Sequence, residues 1–257
     1  MMTKSSTTRL PNPALSAEKL LGRVEWTGQA TDLAKVVSLW PNLSVVEEDL
    51  DGVGYLLPIG ELGGTILVNR ADKEERKRFT TAHELGHWVL GIALKRKTGH
   101  FSQPKSAPYA AIERWCDQFA TNLLMPESMI RAGIARRNPV LVLDSLAHAA
   151  SKFKVSEQAL FIRVWEVLRF QVAFVVLSCT SGRYDAHVEK SFADEQAQKA
   201  LENALRMPEV VDQLISQQII YFSLSYAGGK IKCFGRRLNL GRILLVLEWP
   251  VIKSAES

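Results

Sequence analysis

The stretch RFTTAHELGHWVLG, residues 78–91, has two histidines four positions apart, with a glutamate directly after the first. Residues four apart lie on the same face of an α-helix. His83 and His87 can therefore bind one zinc ion, and Glu84 can reach a water bound to that ion. The alternative is a solvated helix face whose two histidines share no ligand.

A second helix is predicted at residues 111–126, and it can supply a third ligand, because a catalytic zinc has three protein ligands and a water. Pro126 ends this helix, since the residue before a proline disfavours the α conformation. Glu113 and Asp117 lie four apart on one face. We predict that Glu113 is the third ligand and that Asp117 orients a ligand imidazole. The alternative is that both are surface charges near Arg114. Helical period also predicts a buried stripe of apolar residues: Ile112, Trp115, Cys116, Phe119, Ala120, Leu123 and Leu124.

Together the two segments resemble the ImmA/IrrE family of metallopeptidases. The similarity lies in RFTTAHELGHWVLG (78–91) and ERWCDQFATNLLMP (113–126), and it extends over about residues 14–170. Cys116 stands where the family usually has alanine, and Asp117 where it usually has asparagine; neither change removes a predicted ligand. An aspartate at this position resembles thermolysin-like gluzincins, in which it supports a histidine. The resemblance implies a minimal zincin fold and a regulatory peptidase, whose relatives cleave or inactivate helix-turn-helix repressors of stress or mobile-element genes.

The composition is that of an ordinary globular protein, with 257 residues, 47% apolar and 23% charged. Three cysteines without metal-finger spacing indicate a reduced, cytoplasmic protein in which each is a buried small side chain. Residues 1–13 have no signal-peptide pattern, and no apolar run is long enough to span a membrane. The net charge of +5 permits contact with nucleic acid or an acidic partner and requires neither.

The N-terminal region predicts a disordered tail at residues 1–13, followed by a metallopeptidase domain at 14–170. Its small sheet is predicted to be antiparallel, with strands at 43–46, 54–58 and 64–69. In zincins an edge strand beside the metal binds the substrate backbone by strand addition. Residues 64–69, which directly precede the motif helix, are the candidate for that role. The alternative, which is compatible with it, is an ordinary core strand.

Polar residues 95–109 predict a loop or lid between the two motif helices. His100 and Tyr109 in this loop can each donate a hydrogen bond to the oxyanion that develops during peptide hydrolysis. The alternative for both is an exposed loop position.

Residues 143–168 predict a helix-turn-helix-like pair. A DNA-reading second helix presents polar side chains to the major groove. Here it would offer Glu157, Gln158, Arg163 and Glu166, with one cation among them. We therefore favour a packing role for this pair over DNA binding.

Residues 171–257 predict a second, smaller α/β domain. Its strands are predicted at 171–178, 219–226, 230–234 and 242–249, with helical sequence from residue 194 to about 217. Longer members of the resembled family have a sensor-like domain here, GAF-like in some.

The sequence thus predicts an α+β protein with a zincin-like catalytic domain and a helix bundle. Its predicted function is that of a cytoplasmic endopeptidase of gluzincin type, with one Zn²⁺ held by His83, His87 and Glu113. Glu84 takes the proton of the bound water and passes it to the leaving amine. The predicted partner is a protein substrate, a helix-turn-helix repressor by resemblance, and not a membrane. The alternative is a zinc-binding transcription regulator or sensor that binds DNA or a partner protein without peptidase activity.

Overall fold

The computed structural model describes residues 10–59, 63–93, 109–134, 139–168, 172–179, 186–191, 195–207, 209–210, 212, 219–226, 229–239 and 242–248. The chain forms two compact units. The first comprises Met1–Met129 and Ala149–Ser156, and the second comprises Ile130–His148 and Glu157–Ser257. The mixed α+β class is confirmed, and the domain boundary after residue 170 stays a prediction. No described helix is long and apolar enough to cross a membrane.

The first unit begins with a helix that is anchored at its start. Helix α1, Pro13–Arg23, has Pro13 in its first turn, and the Asn12 side chain accepts a hydrogen bond from the Leu15 amide (3.0 Å). The Trp115 indole donates to the Pro11 carbonyl (2.6 Å). Residues 10–13 of the predicted tail are therefore held in place, and residues 1–9 lie outside the described residues.

The short helix α2, Leu33–Val37, precedes three strands: β1, Leu43–Glu48; β2, Tyr55–Ile59; and β3, Gly63–Asn69. The three strands agree with the predicted ones, but their arrangement does not. The order in the sheet is β1-β3-β2, with β1 parallel and β2 antiparallel to β3. The sheet is therefore mixed, and the prediction of an antiparallel sheet was wrong in this respect.

Strand β3 lies at the centre of this sheet, so the prediction that residues 64–69 form a substrate-binding edge was also wrong. The physical reason is burial. Ile66 and Val68 of β3 are buried, and the strand packs on helix α3, whereas most residues of β1 and β2 are exposed. The strand with the most apolar surface to bury takes the central place. The two edges of the sheet are β1 and β2.

Two helices form the framework of the predicted site: α3, Glu74–Ala93, and α4, Tyr109–Leu124. All seven residues of the predicted apolar stripe of α4 are buried, which confirms the helical period. Gly86 is the point of close approach between the helices. A Cβ there would lie 3.2 Å from the Cys116 Cα and 3.3 Å from its Cβ. Glycine thus allows α3 and α4 to pack closely beside the histidines.

A short chain of hydrogen bonds ties α3 and α4 to the start of α2. The Arg78 guanidinium donates to the Thr31 carbonyl (2.8 Å), and the buried Thr31 hydroxyl donates to the Leu123 carbonyl (2.7 Å). Buried polar groups that are bonded in this way fix the positions of the segments they join. The arginine of the RF pair in the quoted stretch therefore has a structural role.

Along the chain, α4 is followed by helices α5, Glu127–Ile134; α6, Pro139–Phe153; and α7, Glu157–Leu168. Lys154 adopts a positive φ of 53° between α6 and α7. Both helices lie where the sequence predicts helices, and the helix-turn-helix-like pair stays a prediction. Arg163, the single cation counted on its second helix, is only 6% exposed and pairs with Glu166 (3.3 Å). A buried cation cannot contact phosphate, which weakens the DNA-reading interpretation further.

The described part of the second unit also contains helix α8, Glu195–Ala204, and five strands: β4, Val172–Cys179; β5, Ala186–Ser191; β6, Ile219–Tyr226; β7, Gly229–Asn239; and β8, Arg242–Glu248. Every pairing in this sheet is antiparallel, in the order β5-β4-β8-β7-β6. Strand β5 was missed because its sequence, AHVEKS, is short and polar. A GAF-like character for this region stays a prediction.

Candidate metal centre

The two motif histidines converge as the spacing predicts. The Nε2 atoms of His83 and His87 lie 3.2 Å apart on α3, and both side chains are partly buried. Successive helical turns thus place two nitrogen lone pairs where a single cation can accept both.

Helix α4 brings Glu113 to the same point. Its Oε2 lies 3.2 Å from His83 Nε2, and its Oε1 lies 3.4 Å from His87 Nε2. For a metal with bonds of about 2.0–2.1 Å, neighbouring ligand atoms in a tetrahedron are about 3.3 Å apart. The three separations are therefore of the size expected around one zinc ion, with a different oxygen of the Glu113 carboxylate facing each histidine.

The Glu113 carboxylate also provides a test of whether a cation fits. Its Oε1 atom is buried and accepts no hydrogen bond from the residues that the structure describes. A buried carboxylate oxygen without a donor is unfavourable unless a positive charge faces it. Two imidazoles and a carboxylate suit Zn²⁺, and they also suit other divalent transition metals.

Asp117 has the geometry of an orienting group. Its Oδ1 lies 2.9 Å from His83 Nδ1. An Nδ1–H donated to this carboxylate leaves the Nε2 lone pair of His83 directed toward Glu113 and His87. Asp117 is 56% exposed, so solvent moderates the electrostatic part of this contact.

The Glu84 carboxylate contacts the small sheet. It is 9% exposed, and its Oε2 accepts a hydrogen bond from the Leu56 amide on edge strand β2 (3.0 Å). Burial raises the pKa of Glu84 to about 7, although His83 and the Leu56 N–H act in the opposite direction. A carboxyl group with a pKa near neutrality can both accept and return a proton at physiological pH.

The pKa values of the two imidazoles are shifted in opposite directions. Burial alone would lower the pKa of His83, but its hydrogen bond to Asp117 and the charges of Glu84, Asp117 and Glu113 outweigh burial and raise it. Burial and repulsion from His83 lower the pKa of His87. A bound dication would oppose protonation of both rings, because metal binding requires neutral imidazoles.

Of the two predicted oxyanion donors, the structure describes Tyr109 but not His100. Tyr109 is the first residue of α4 and is 55% exposed. The charge of Glu113 and a hydrogen bond to it raise the pKa of Tyr109, which places the phenol beside a candidate ligand. His100, with the rest of the predicted lid up to residue 108, lies outside the described residues. An oxyanion role for either stays a prediction.

Two groups at the centre were missed by sequence reasoning. The Leu56 amide has no local signal, because its contact with Glu84 depends on the order of strands in the sheet. The Cys116 sulfur lies within 4.8 Å of the ligand nitrogens of both histidines. A signal for Cys116 was present, since this residue differs from the usual alanine and lies three positions after Glu113.

A helix with an HExxH motif, a second helix that supplies a carboxylate, and a small sheet beside them define a zincin-like domain. Residues 42–164 match the family model of the IrrE N-terminal-like domain. The chain is 31% identical over 141 residues to the radiation response metalloprotease IrrE of Deinococcus radiodurans; this match covers 54% of the chain and 41% of that protein. The region of residues 42–164 therefore belongs to the ImmA/IrrE family of metallopeptidases, which implies a metal.

A solved structure shares the fold over a larger part of the chain. A Mycobacterium tuberculosis transcriptional regulator superposes with a TM-score of 0.56 at 13% identity, covering 94% of this chain and 78% of that one. At this identity the similarity concerns the fold alone.

Proposed function

We propose that this protein is a zinc-dependent endopeptidase of regulatory type that hydrolyses a peptide bond in a protein substrate. The observation that carries the proposal is the triangle formed by His83 Nε2, His87 Nε2 and the Glu113 carboxylate, with sides of 3.2–3.4 Å. The buried Glu84 carboxyl lies on the same helix turn and has a pKa of about 7. Ligands and proton acceptor are thus assembled in one site, as hydrolysis requires.

Each residue has a distinct role in this proposal. His83, His87 and Glu113 hold the zinc, and Asp117 fixes the ring orientation of His83. When bound, Zn²⁺ supplies a water of lowered pKa and polarises the scissile carbonyl. Glu84 accepts a proton at its carboxylate and returns it to the leaving amine. Tyr109 is the remaining candidate donor to the oxyanion among the described residues.

The substrate peptide, in this proposal, pairs with the free edge of β2 and not with β3. Strand β2 pairs with β3 on one side, and its Leu56 amide reaches Glu84 on the other. An extended peptide added along this edge would therefore lie beside the proton acceptor. Pro58 cannot donate a hydrogen bond, so the carbonyl groups of β2 would provide most of the pairing.

A helix-turn-helix repressor in the cytoplasm is the substrate we propose. This rests on the family resemblance and on a relative that is named for the radiation response. Fold similarity alone does not identify a substrate, so the test has to search without assuming one.

The experiment compares the N-termini that cleavage creates in proteins of the native host. The host expresses either wild-type protein or Glu84→Gln, and it is sampled before and after stress. Glutamine keeps the size of the side chain and an acceptor for the Leu56 amide, but it cannot take a proton. We expect the variant to bind zinc and to lose about 10²- to 10⁴-fold of the cleavage rate. A cleavage product seen only with the wild type would identify the substrate. Equal cleavage by both proteins would show that Glu84 is not the proton acceptor. No cleavage by either protein, with zinc bound in both, would favour the zinc-binding regulator without peptidase activity.

A further inference from the structure

A fourth group able to bind metal lies inside the candidate centre. Cys116 follows Glu113 by three residues on α4 and is fully buried. Its sulfur and the ligand nitrogens of His83 and His87 all lie within 4.8 Å of one another. Cys233, also buried and free, belongs to no such cluster within the described residues.

The packing of α3 against α4 explains why the sulfur is there. Gly86 lies between the two histidines and has no side chain, so the backbone of Cys116 approaches it closely. Phe119 closes the next turn, since its Cδ1 would lie 3.2 Å from a Cβ at position 86. The Cys116 side chain is therefore confined between the helices, on the buried side of the ligand triangle.

We propose that Cys116 is a fourth protein ligand of the metal, and that sulfur binding gives the centre a closed form without a catalytic water. This inference rests on the proposed function, because it uses the same His83, His87 and Glu113 site. Four protein ligands characterise structural zinc sites, whereas a hydrolytic site keeps one position open. The closed form is thus latent, and the enzyme becomes competent when water replaces the sulfur.

Binding of the Cys116 sulfur to the metal needs no further reactant. The metal–sulfur bond forms as the S–H bond breaks, and the proton passes to solvent. In a zinc tetrahedron with bonds of about 2.3 Å to sulfur and 2.0 Å to nitrogen, these atoms are about 3.5 Å apart. The separation between sulfur and nitrogen, at most 4.8 Å, therefore needs to shorten by no more than about 1.3 Å, a change that side-chain rotation can supply.

The test uses the full chain loaded with Co²⁺ in place of Zn²⁺. A cobalt–thiolate bond gives a charge-transfer absorption in the near ultraviolet, and tetrahedral cobalt gives separate bands in the visible region. We expect the ultraviolet band in the wild type and in the matched control Cys233→Ala. It should disappear in Cys116→Ala and Cys116→Ser while the visible bands remain. Competition with a chelator should show zinc affinity about tenfold or more weaker in Cys116→Ala.

Peptidase activity provides a second arm. Cys116→Ala, which restores the usual family residue, should cleave faster than wild type, because it cannot adopt the closed form. A wild-type cobalt spectrum with visible bands but no band that depends on Cys116 would overturn the inference and leave the proposed function intact. If His83→Ala and Glu113→Ala bound cobalt as well as wild type does, both the inference and the proposed metal site would fail.

Discussion

The helix pair α3–α4 and the three-stranded sheet β1-β3-β2 both contribute to the candidate centre, but the sequence encodes them in different ways. His83 and His87 lie within one helix, and Glu113 and Asp117 within another, so helical spacing places each pair on one face. The sheet contributes the Leu56 amide through a contact between residues 28 positions apart. Helical spacing aligns each pair, the packing of α3 on α4 brings the two pairs together, and strand order adds the part that touches Glu84.

The contrast is sharpest at the two points where glycine permits close approach. Gly86 lies within α3 at the point where α4 packs on it, and Gly54 precedes the edge strand β2. A Cβ at Gly54 would lie 2.0 Å from the Leu67 carbonyl oxygen and 2.7 Å from the Thr80 Cγ2, whereas at Gly86 the nearest atoms are 3.2 Å away. A Cβ at Gly54 would overlap a backbone oxygen, whereas small shifts of Cys116 and Phe119 would relieve the contacts at Gly86.

The largest effect is expected for Gly54→Ala. The added methyl group forces β2 away from β3 and α3, which costs about 3 kcal/mol or more of the free energy of unfolding. It should also weaken the contact between Leu56 and Glu84. Urea unfolding of the variant measures the loss, with Gly86→Ala as the matched comparison.

For Gly86→Ala we expect a smaller loss of about 1 kcal/mol. Crowding of Cys116 and Phe119 costs about 1–3 kcal/mol, and alanine recovers about 1 kcal/mol of helix propensity. An equal or greater loss for Gly86→Ala than for Gly54→Ala would contradict the claim that the sheet tolerates less change than the helix pair.

Next in size is the effect of Glu84→Gln on the stability of the protein after chelation of metal. Glu84 has a folded pKa of about 7 against an ordinary value of 4.5, so the folded protein binds this proton more tightly than the unfolded chain. The stabilisation by this proton is fully present below pH 4.5 and is lost as pH rises through 7. The free energy of unfolding of Glu84→Gln should therefore exceed that of wild type by about 3 kcal/mol at pH 8, and this difference should disappear at pH 4.5.

The matched control for this comparison is Glu48→Gln on the exposed face of β1, which we expect to change the free energy of unfolding by less than about 0.5 kcal/mol. Urea unfolding at the two pH values measures both variants. A pH-independent difference for Glu84→Gln would show that its carboxyl group titrates normally in the folded protein.

The smallest of these effects concerns Asp117, whose contact lies wholly within the helix pair. Asp117→Ala should weaken zinc affinity by about 10- to 100-fold, because His83 loses the acceptor at its Nδ1. Asp117→Asn should be milder, since the amide oxygen still accepts this hydrogen bond. Chelator competition measures both variants, and exposed Asp51→Asn serves as the control. Unchanged affinity in Asp117→Ala would remove Asp117 from the site.

The helices and their buried faces were largely predictable because their pattern repeats over three or four residues. The apolar stripe of α4 and the proximity of His83 to His87 followed from such spacing, whereas the approach of Glu113 required α3 to pack on α4. The strands at 43–48, 55–59 and 63–69 were also found, but not their order. Alternating polarity shows which face of a strand is buried, and it carries no information about which neighbour that strand pairs with.

By itself, therefore, the sequence determined that His83 and His87 share one helical face and that Glu113 and Asp117 share another, since residues four apart on a helix are neighbours whatever surrounds them. Tertiary structure alone decided the rest. It placed β3 at the centre of the sheet and β2 at the edge, brought the Leu56 amide to Glu84, and brought the Cys116 sulfur near the two histidines. These contacts join segments that are distant in the chain, and they depend on which surfaces gain most from burial together.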